Sequence, residues 1–187
     1  MKLEGQVAII TGGGSGMGRE IALEYVEEGA SVVIASIVPE QNEQVASECR
    51  ALGGRALPVT VDVSQEEDVR QMVRRCIEEF GKVDTLVAVA GIGMFAVGGR
   101  GHLNIWELSL EQWNRVLNVN LTGTFLCCRE VIPYMIRNGG GSIITFSSGT
   151  VRFPIPHEGP YTTSKFGIEG FTKILAQECE PHNIRVN

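Results

Sequence analysis

The sequence predicts an α/β fold, a Rossmann-like doubly wound parallel sheet in three αβα layers. Three observations carry this. Short β-branched runs alternate with longer amphipathic stretches, glycines crowd directly after the first run, and Tyr161 and Lys165 stand four apart on the last long amphipathic stretch. Strands covered by helices on both faces read as near-continuous apolar runs. Their alternation with helical patterns marks successive βαβ units.

The first run, residues 7–10, ends in the turn Thr11-Gly12-Gly13-Gly14-Ser15-Gly16-Met17-Gly18, from which a helix is expected over 18–28. Strand patterns follow at 31–35, 56–61, 85–89 and 142–146, with a last strand opening at Ile184. Helical patterns cover 40–52, 65–80, 111–136 and 161–180. Ser64 with Glu67, and Ser109 with Gln112, have the spacing of capping boxes that open two of these helices. Residues 91–108 form the longest irregular stretch, with Gly93, Gly98, Gly99 and Gly101, and are expected to run as a mobile surface loop beside the site. Arg100 and His102 within it read as solvated loop residues. Right-handed crossovers would gather the turns after Ile10, Ala35, Val61, Val89 and Phe146 at the strands' carboxyl ends, where ligands bind.

At 187 residues with 43% hydrophobic side chains, the chain suits one domain, residues 1–187, with a sizeable core. A net charge of −6 and the lack of a basic run interleaved with aromatics argue against a nucleic-acid partner. No apolar run approaches a membrane span, and 7–10 is too short and wrongly flanked for a signal peptide. The five cysteines lack CxxC spacing and a neighbouring histidine cluster, so they read as buried thiols in a reducing compartment rather than metal ligands. The cytoplasm is the expected location.

Glycines after a first strand and at a helix mouth let the backbone approach a pyrophosphate, whose charge the helix N-terminus favours. Here the spacing is Gly12-x-x-x-Gly16-x-Gly18, with Met17 where the commoner pattern has its last glycine. No Gly-Lys-Ser/Thr follows, which argues against a P-loop NTPase. At the other end of the chain, helical spacing sets the Tyr161 phenol and the Lys165 ammonium on one face, where the cation favours the phenolate.

The glycine turn, Asp62-Val63, Ala90-Gly91, Asn120 within Asn118-Val119-Asn120-Leu121-Thr122-Gly123, Ser148 and Tyr161-x-x-x-Lys165 together resemble the short-chain dehydrogenase/reductase family. The likeness runs from Val7 to Asn187. It implies an NAD(P)-dependent oxidoreductase that interconverts a secondary alcohol and a ketone, or a 3-oxoacyl group. By resemblance, Tyr161 exchanges a proton with the substrate oxygen, Ser148 holds that oxygen, Lys165 anchors the nicotinamide ribose, and Asn120 positions a water leading from Lys165 to solvent. Family spacing selects Ser148 over Ser147.

For the cofactor, the resemblance sets Gly12, Gly14, Ser15, Gly16, Met17 and Gly18 at the pyrophosphate turn, Asp62 and Val63 at the adenine, and Ala90 and Gly91 along the adenosine ribose, and it counts Tyr161 and Lys165 among the cofactor-binding residues as well. An acid at the end of the second strand selects NAD, and nearby basic groups favour NADP. Ser36 is neither, and Ile37 and Ser15 occupy places where NADP-dependent relatives often carry Arg or Lys. Ser36 is able to donate to either group, so NAD and NADP both stand. Residues 149–160 are expected to line part of the substrate pocket, with Phe95, Phe153 and Ile155 as an apolar wall and His157 as an exposed loop residue.

Two departures from the family are visible. Ala88 and Val89 replace a pair of asparagines, which questions sheet stability and the seating of the adenosine. The chain also stops at Ile184-Arg185-Val186-Asn187, so the last strands and the lid are expected to be missing. A homotetramer or homodimer through 111–136 and 161–180 is implied for a full-length chain. The competing reading is a non-catalytic dinucleotide-binding module or an inactive truncated product. A serine hydrolase fits poorly, because neither Ser15 nor Ser148 sits in GxSxG.

Overall fold

The computed structural model describes residues 1–98 and 103–187, so Arg100 and His102 lie outside the described residues. Six strands, β1 (Val7–Thr11), β2 (Ser31–Ser36), β3 (Ala56–Thr60), β4 (Thr85–Ala88), β5 (Gly141–Thr145) and β6 (Ile184–Val186), form one sheet in the order β3-β2-β1-β4-β5-β6. Every neighbouring pair is parallel. The order reverses between β1 and β4, and that reversal opens a crevice beyond the strands' carboxyl ends.

Helices α1 (Gly16–Glu27), α2 (Pro39–Ala51), α3 (Glu66–Phe80), α4 (Leu110–Leu117), α5 (Gly123–Arg137) and α6 (Gly159–Cys179) flank the sheet. The side-chain alternation of β1 divides the core. Ala8 and Ile10 face a cluster built with Ala22 and Val26 of α1 and Val45, Ala46 and Cys49 of α2. Ile9 faces the other cluster, with Met72 and Cys76 of α3, Val131 and Met135 of α5, and Leu175 of α6. Period-two geometry thus serves both helical layers from one strand. Each wholly buried aliphatic side chain stabilises the fold by roughly 1.5–3 kcal/mol, which is why a strand such as β1, apolar from Val7 to Ile10, belongs at the centre.

The expected helix over 111–136 is interrupted. It runs as α4, a π-helical turn over Asn118–Thr122, and α5. Such a turn adds a residue to the helical ladder and re-aims its side chains. Asn120 is thereby wholly buried, and its carbonyl accepts from Thr124 Oγ1 at 2.7 Å.

The Ser109–Gln112 capping box forms, with Gln112 N donating to Ser109 Oγ at 3.1 Å and Ser109 N donating to Gln112 Oε1 at 3.0 Å. The Ser64–Glu67 box does not. Helix α3 starts one residue later than expected, and the Ser64 hydroxyl donates instead to Asp62 Oδ1 at 2.7 Å. Gln65 rather than Ser64 takes the N-cap position, so Ser64 lies one residue outside the place a capping box requires. Among the described residues of the expected irregular stretch, Met94–Val97 and Ile105–Glu107 are 3₁₀ turns, and Asn104 with Glu107 forms a capping box.

All five cysteines are buried. Burial pushes the thiol of Cys49 up to about 11 and those of Cys76 and Cys127 up to about 12. A thiol reagent attacks the thiolate. The native chain is therefore expected to give no fast-reacting thiol with an aromatic disulfide reagent at pH 8, and all five after denaturation. A stoichiometric native burst would contradict this core arrangement.

Candidate active site

The glycine turn between β1 and α1 is shaped by contacts that no side chain tolerates. Gly12 has φ +69°, and a Cβ there would lie 3.0 Å from the Ala90 backbone. A Cβ on Gly18 would lie 2.2 Å from the Gly12 carbonyl oxygen, so this glycine lets α1 start against the turn. Gly16, with φ +52°, faces open space. Ser15, Gly16 and Met17 are exposed at the mouth of α1, where unpaired helix N–H groups favour an anion. Ala90 N donates to Thr11 Oγ1 at 3.3 Å, which ties the turn after β4 to β1.

A cavity of about 800 Å³ opens beside this turn, and Gly12, Ser15, Ser36, Ile37, Asp62, Val63, Ala90 and Gly91 line it. The structure thus brings together all the expected nucleotide-end residues except Gly14, Gly16, Met17 and Gly18, which shape the turn or face elsewhere. Gly14 stands behind the wall, since a Cβ there would meet Ser36 Oγ at 2.7 Å. Asp62 is both a wall residue and a turn former: Oδ1 accepts from Ser64 N at 3.0 Å as well as from the Ser64 hydroxyl. Leu110, Glu111, Asn114 and Arg115 of α4 also line the cavity, a wall that the sequence reading missed because α4 reads as a solvated amphipathic helix.

A second cavity, about 500 Å³, adjoins Gly91 and Ile92 and is lined by Met17, Ser148, Ile155, Glu158, Tyr161 and Lys165. Tyr161 and Lys165 occupy one face of α6, with Lys165 Nζ 5.6 Å from the Tyr161 ring centroid. Lys165 is only 5% exposed, and its ammonium donates to the Phe146 carbonyl at 2.8 Å. Burial pushes its pKa below the ordinary lysine value. Desolvation opposes the charge and the carbonyl supports it.

Asn120 is held from both ends. Its Oδ1 accepts from Ile92 N at 2.7 Å, and its Nδ2 donates to Ile92 O at 3.0 Å and to Ser164 Oγ at 3.0 Å. Ser164 passes the chain on by donating to the Tyr161 carbonyl at 2.6 Å. Asn120 therefore clamps the segment that follows β4 to the start of α6, and a Cβ on Gly91 would approach Asn120 Oδ1 to 3.3 Å. Ser164 was missed by sequence reasoning, although its place directly before Lys165 on the helix was a usable signal.

Ser148 and Ser147 are separated by their partners. Ser148 Oγ accepts from Thr150 N at 3.2 Å and from Thr150 Oγ1 at 3.1 Å, so its own O–H is spent on neither bond. The Ser147 hydroxyl donates to Glu169 Oε1 at 2.8 Å. Of the expected apolar wall, Ile155 lines the cavity, whereas Phe95 and Phe153 are 77% and 78% exposed. His157 is half-buried, has φ +70° and contacts the Leu103 carbonyl through Nδ1 at 3.2 Å, so it is not a fully exposed loop residue.

A family model described as short chain dehydrogenase matches residues 6–187 of this arrangement. The chain belongs to the short-chain dehydrogenase family. It is 35% identical over 187 residues to a 3-oxoacyl-[acyl-carrier-protein] reductase of Thermotoga maritima, covering 100% of this chain and 73% of that one. A 7α-hydroxysteroid dehydrogenase complexed with NADH and 7-oxo glycochenodeoxycholic acid superposes with a TM-score of 0.92 at 32% identity, covering 100% of this chain and 70% of the other. NAD⁺-bound xylitol dehydrogenase superposes with a TM-score of 0.93 at 31% identity, again over 100% and 70%. The chain is thus a member of a family of NAD(P)-dependent oxidoreductases, and its own parallel six-stranded sheet superposes on the corresponding part of both solved structures. Among the described residues, no helix is long and apolar enough to cross a membrane.

Proposed function

We propose that this protein interconverts a secondary alcohol and a ketone by hydride transfer with NAD or NADP, using Tyr161 as the general acid and base. The observation that carries the reading is the common cavity of Ser148, Tyr161 and Lys165, which opens at Gly91 beside the nucleotide cavity. Gly12 and Gly18 let α1 start tight against the β1–α1 turn, a shape that suits a dinucleotide pyrophosphate at the helix N-terminus. Bound NAD(P) would supply the carbon that accepts or gives the hydride.

In the oxidation direction, the substrate hydroxyl gives its proton to the Tyr161 oxygen as the carbinol carbon loses hydride. In reduction, the Tyr161 hydroxyl returns that proton to the carbonyl oxygen. The Ser148 O–H donates to the same oxygen and holds it, and the Lys165 ammonium stabilises negative charge on the phenolic oxygen. Asn120 acts one step away: its clamp on Ile92 and Ser164 fixes the distance between the cofactor wall and α6. Asp62 and Val63 would flank the adenine, and Ala90 with Gly91 the adenosine ribose.

The Thermotoga relative's name supports a 3-oxoacyl thioester as a narrower substrate class. The two superposed structures support secondary alcohols and ketones more broadly.

The test is separate titration with NADH and NADPH by nicotinamide fluorescence, with Gly16→Arg as the control, followed by a ketone and 3-oxoacyl screen. Gly16 faces open space, so Arg fits sterically at the cost of about 1 kcal/mol of backbone strain while blocking the turn. Binding lost in the control, with cofactor oxidised by a carbonyl substrate, is the expected result. Binding with no turnover of any carbonyl would favour a non-catalytic dinucleotide module.

A further inference from the structure

We propose that Asn42 is a positioning residue that makes Ser36 a pure hydrogen-bond acceptor, and so selects NAD(H) over NADP(H). The inference rests on the dinucleotide reading above and concerns the wall of the larger cavity at the end of β2.

Asn42 is 1% exposed, on the first turn of α2. Its side-chain amide is oriented by two carbonyls, since Nδ2 donates to Ser36 O at 2.9 Å and to Val59 O at 2.9 Å. The flipped amide would set an oxygen against both carbonyl oxygens, with no proton between them, and is excluded by that network. Oδ1 therefore faces Ser36 Oγ at 2.6 Å, and only the serine carries a proton to share. The Ser36 hydroxyl must donate inward to Asn42. Val38 N approaches the same oxygen at 3.4 Å, a long contact that also uses a lone pair. Gly14 makes room for the pair, because a Cβ there would lie 2.7 Å from Ser36 Oγ and 2.9 Å from Asn42 Oδ1.

What Ser36 offers the cavity is then a lone pair and no proton. A ribose 2′-hydroxyl donates to such an atom. A 2′-phosphate, mostly dianionic at neutral pH, has no proton to give to the Ser36 oxygen and meets its lone pair there. The neighbouring positions add no cation: Ser15, Ile37 and Gln41 line the same wall. Arg19, next to Gly18 in sequence, pairs with Glu48 at 2.8 Å. The guanidinium on the cavity wall, Arg115, belongs to α4 and not to the β2 end, and shares that wall with Glu111.

Dissociation constants for NADH and NADPH on the wild type, Asn42→Ala and Ser36→Ala test the proposal. The wild type is expected to bind NADH about tenfold or more tighter than NADPH. Asn42→Ala frees the Ser36 proton, and NADPH is then expected to gain roughly 3- to 10-fold while NADH changes little, the size of one neutral hydrogen bond. A merely structural role for Asn42 would weaken both cofactors and leave their ratio unmoved, which would overturn the proposal. Ser36→Ala keeps both Asn42 donations and guards against loss of fold in the first variant. It should weaken NADH by about 3- to 10-fold and leave NADPH unchanged. Equal loss of both cofactors in Ser36→Ala would mean that the hydroxyl serves the phosphate too, contrary to the proposal. Failure of the wild type to bind either cofactor would instead remove the dinucleotide reading on which this one stands.

Discussion

Tyr161→Phe is expected to lower kcat by about 10²- to 10⁴-fold, the range by which a positioned general acid or base assists a proton transfer. The substitution deletes one oxygen and keeps the ring. That ring is half-buried at the start of α6, so packing is preserved. The glycine turn lies elsewhere, since Gly12, Gly16 and Gly18 do not line the cavity that Tyr161 lines. NADH affinity should therefore stay within about twofold of the wild type while turnover collapses, a loss confined to the chemical step. Lys165 keeps its bond to the Phe146 carbonyl in the variant, so the cation remains with no phenol to act on. Steady-state kinetics with the best carbonyl substrate, beside NADH titration, decide the matter. A kcat within tenfold of the wild type would remove Tyr161 from the chemistry and direct attention to Glu158, a carboxyl side chain on that wall.

The parts of the site that sequence reading reached are those whose geometry is local. Tyr161 and Lys165 are neighbours on a helix by the helical repeat alone. The β1–α1 turn needs glycine at Gly12 and Gly18 because backbone meets backbone there, and that demand is written directly in the sequence. The doubly wound parallel sheet follows from alternation and handedness, and its strand order comes from the structure. What was illegible depends on contacts between distant segments. Asn42 reads as one more polar residue on an amphipathic helix, and its meaning comes from carbonyls on β2 and β3. Ser64 has capping-box spacing, yet a strand-end carboxylate takes its hydroxyl. The π turn over Asn118–Thr122 has no compositional mark, and periodicity runs smoothly through it. With Ala88 and Val89 in place of two asparagines, the end of β4 is still paired. Ala88 pairs with Thr11 and Thr145 in the sheet, and Ala90 is tied to Thr11 by its amide.

Lys165→Met is expected to abolish activity to a similar degree, about 10²- to 10⁴-fold, while leaving the fold as stable as before at neutral pH. Lys165 is a buried cation, 5% exposed, with one carbonyl at 2.8 Å. Burying a charge costs several kcal/mol before its partners offset it, and methionine fills a similar volume without that cost. The Phe146 carbonyl loses its donor, which costs about 1–3 kcal/mol, so the two changes roughly cancel. The pH dependence separates this account from simple loss of a contact. The folded pKa of Lys165 lies below the ordinary 10.5, so the unfolded chain holds the proton more tightly. The penalty is present in full below the folded pKa and is relieved as pH rises through the window up to 10.5. The wild type should therefore gain stability relative to Lys165→Met between neutral and strongly alkaline pH. Thermal melts of both proteins at pH 7 and near pH 10 would show this. A variant that melts several degrees below the wild type at pH 7, with a gap that does not widen in alkali, would mean that the buried ammonium stabilises the fold and is not tolerated there for its chemistry.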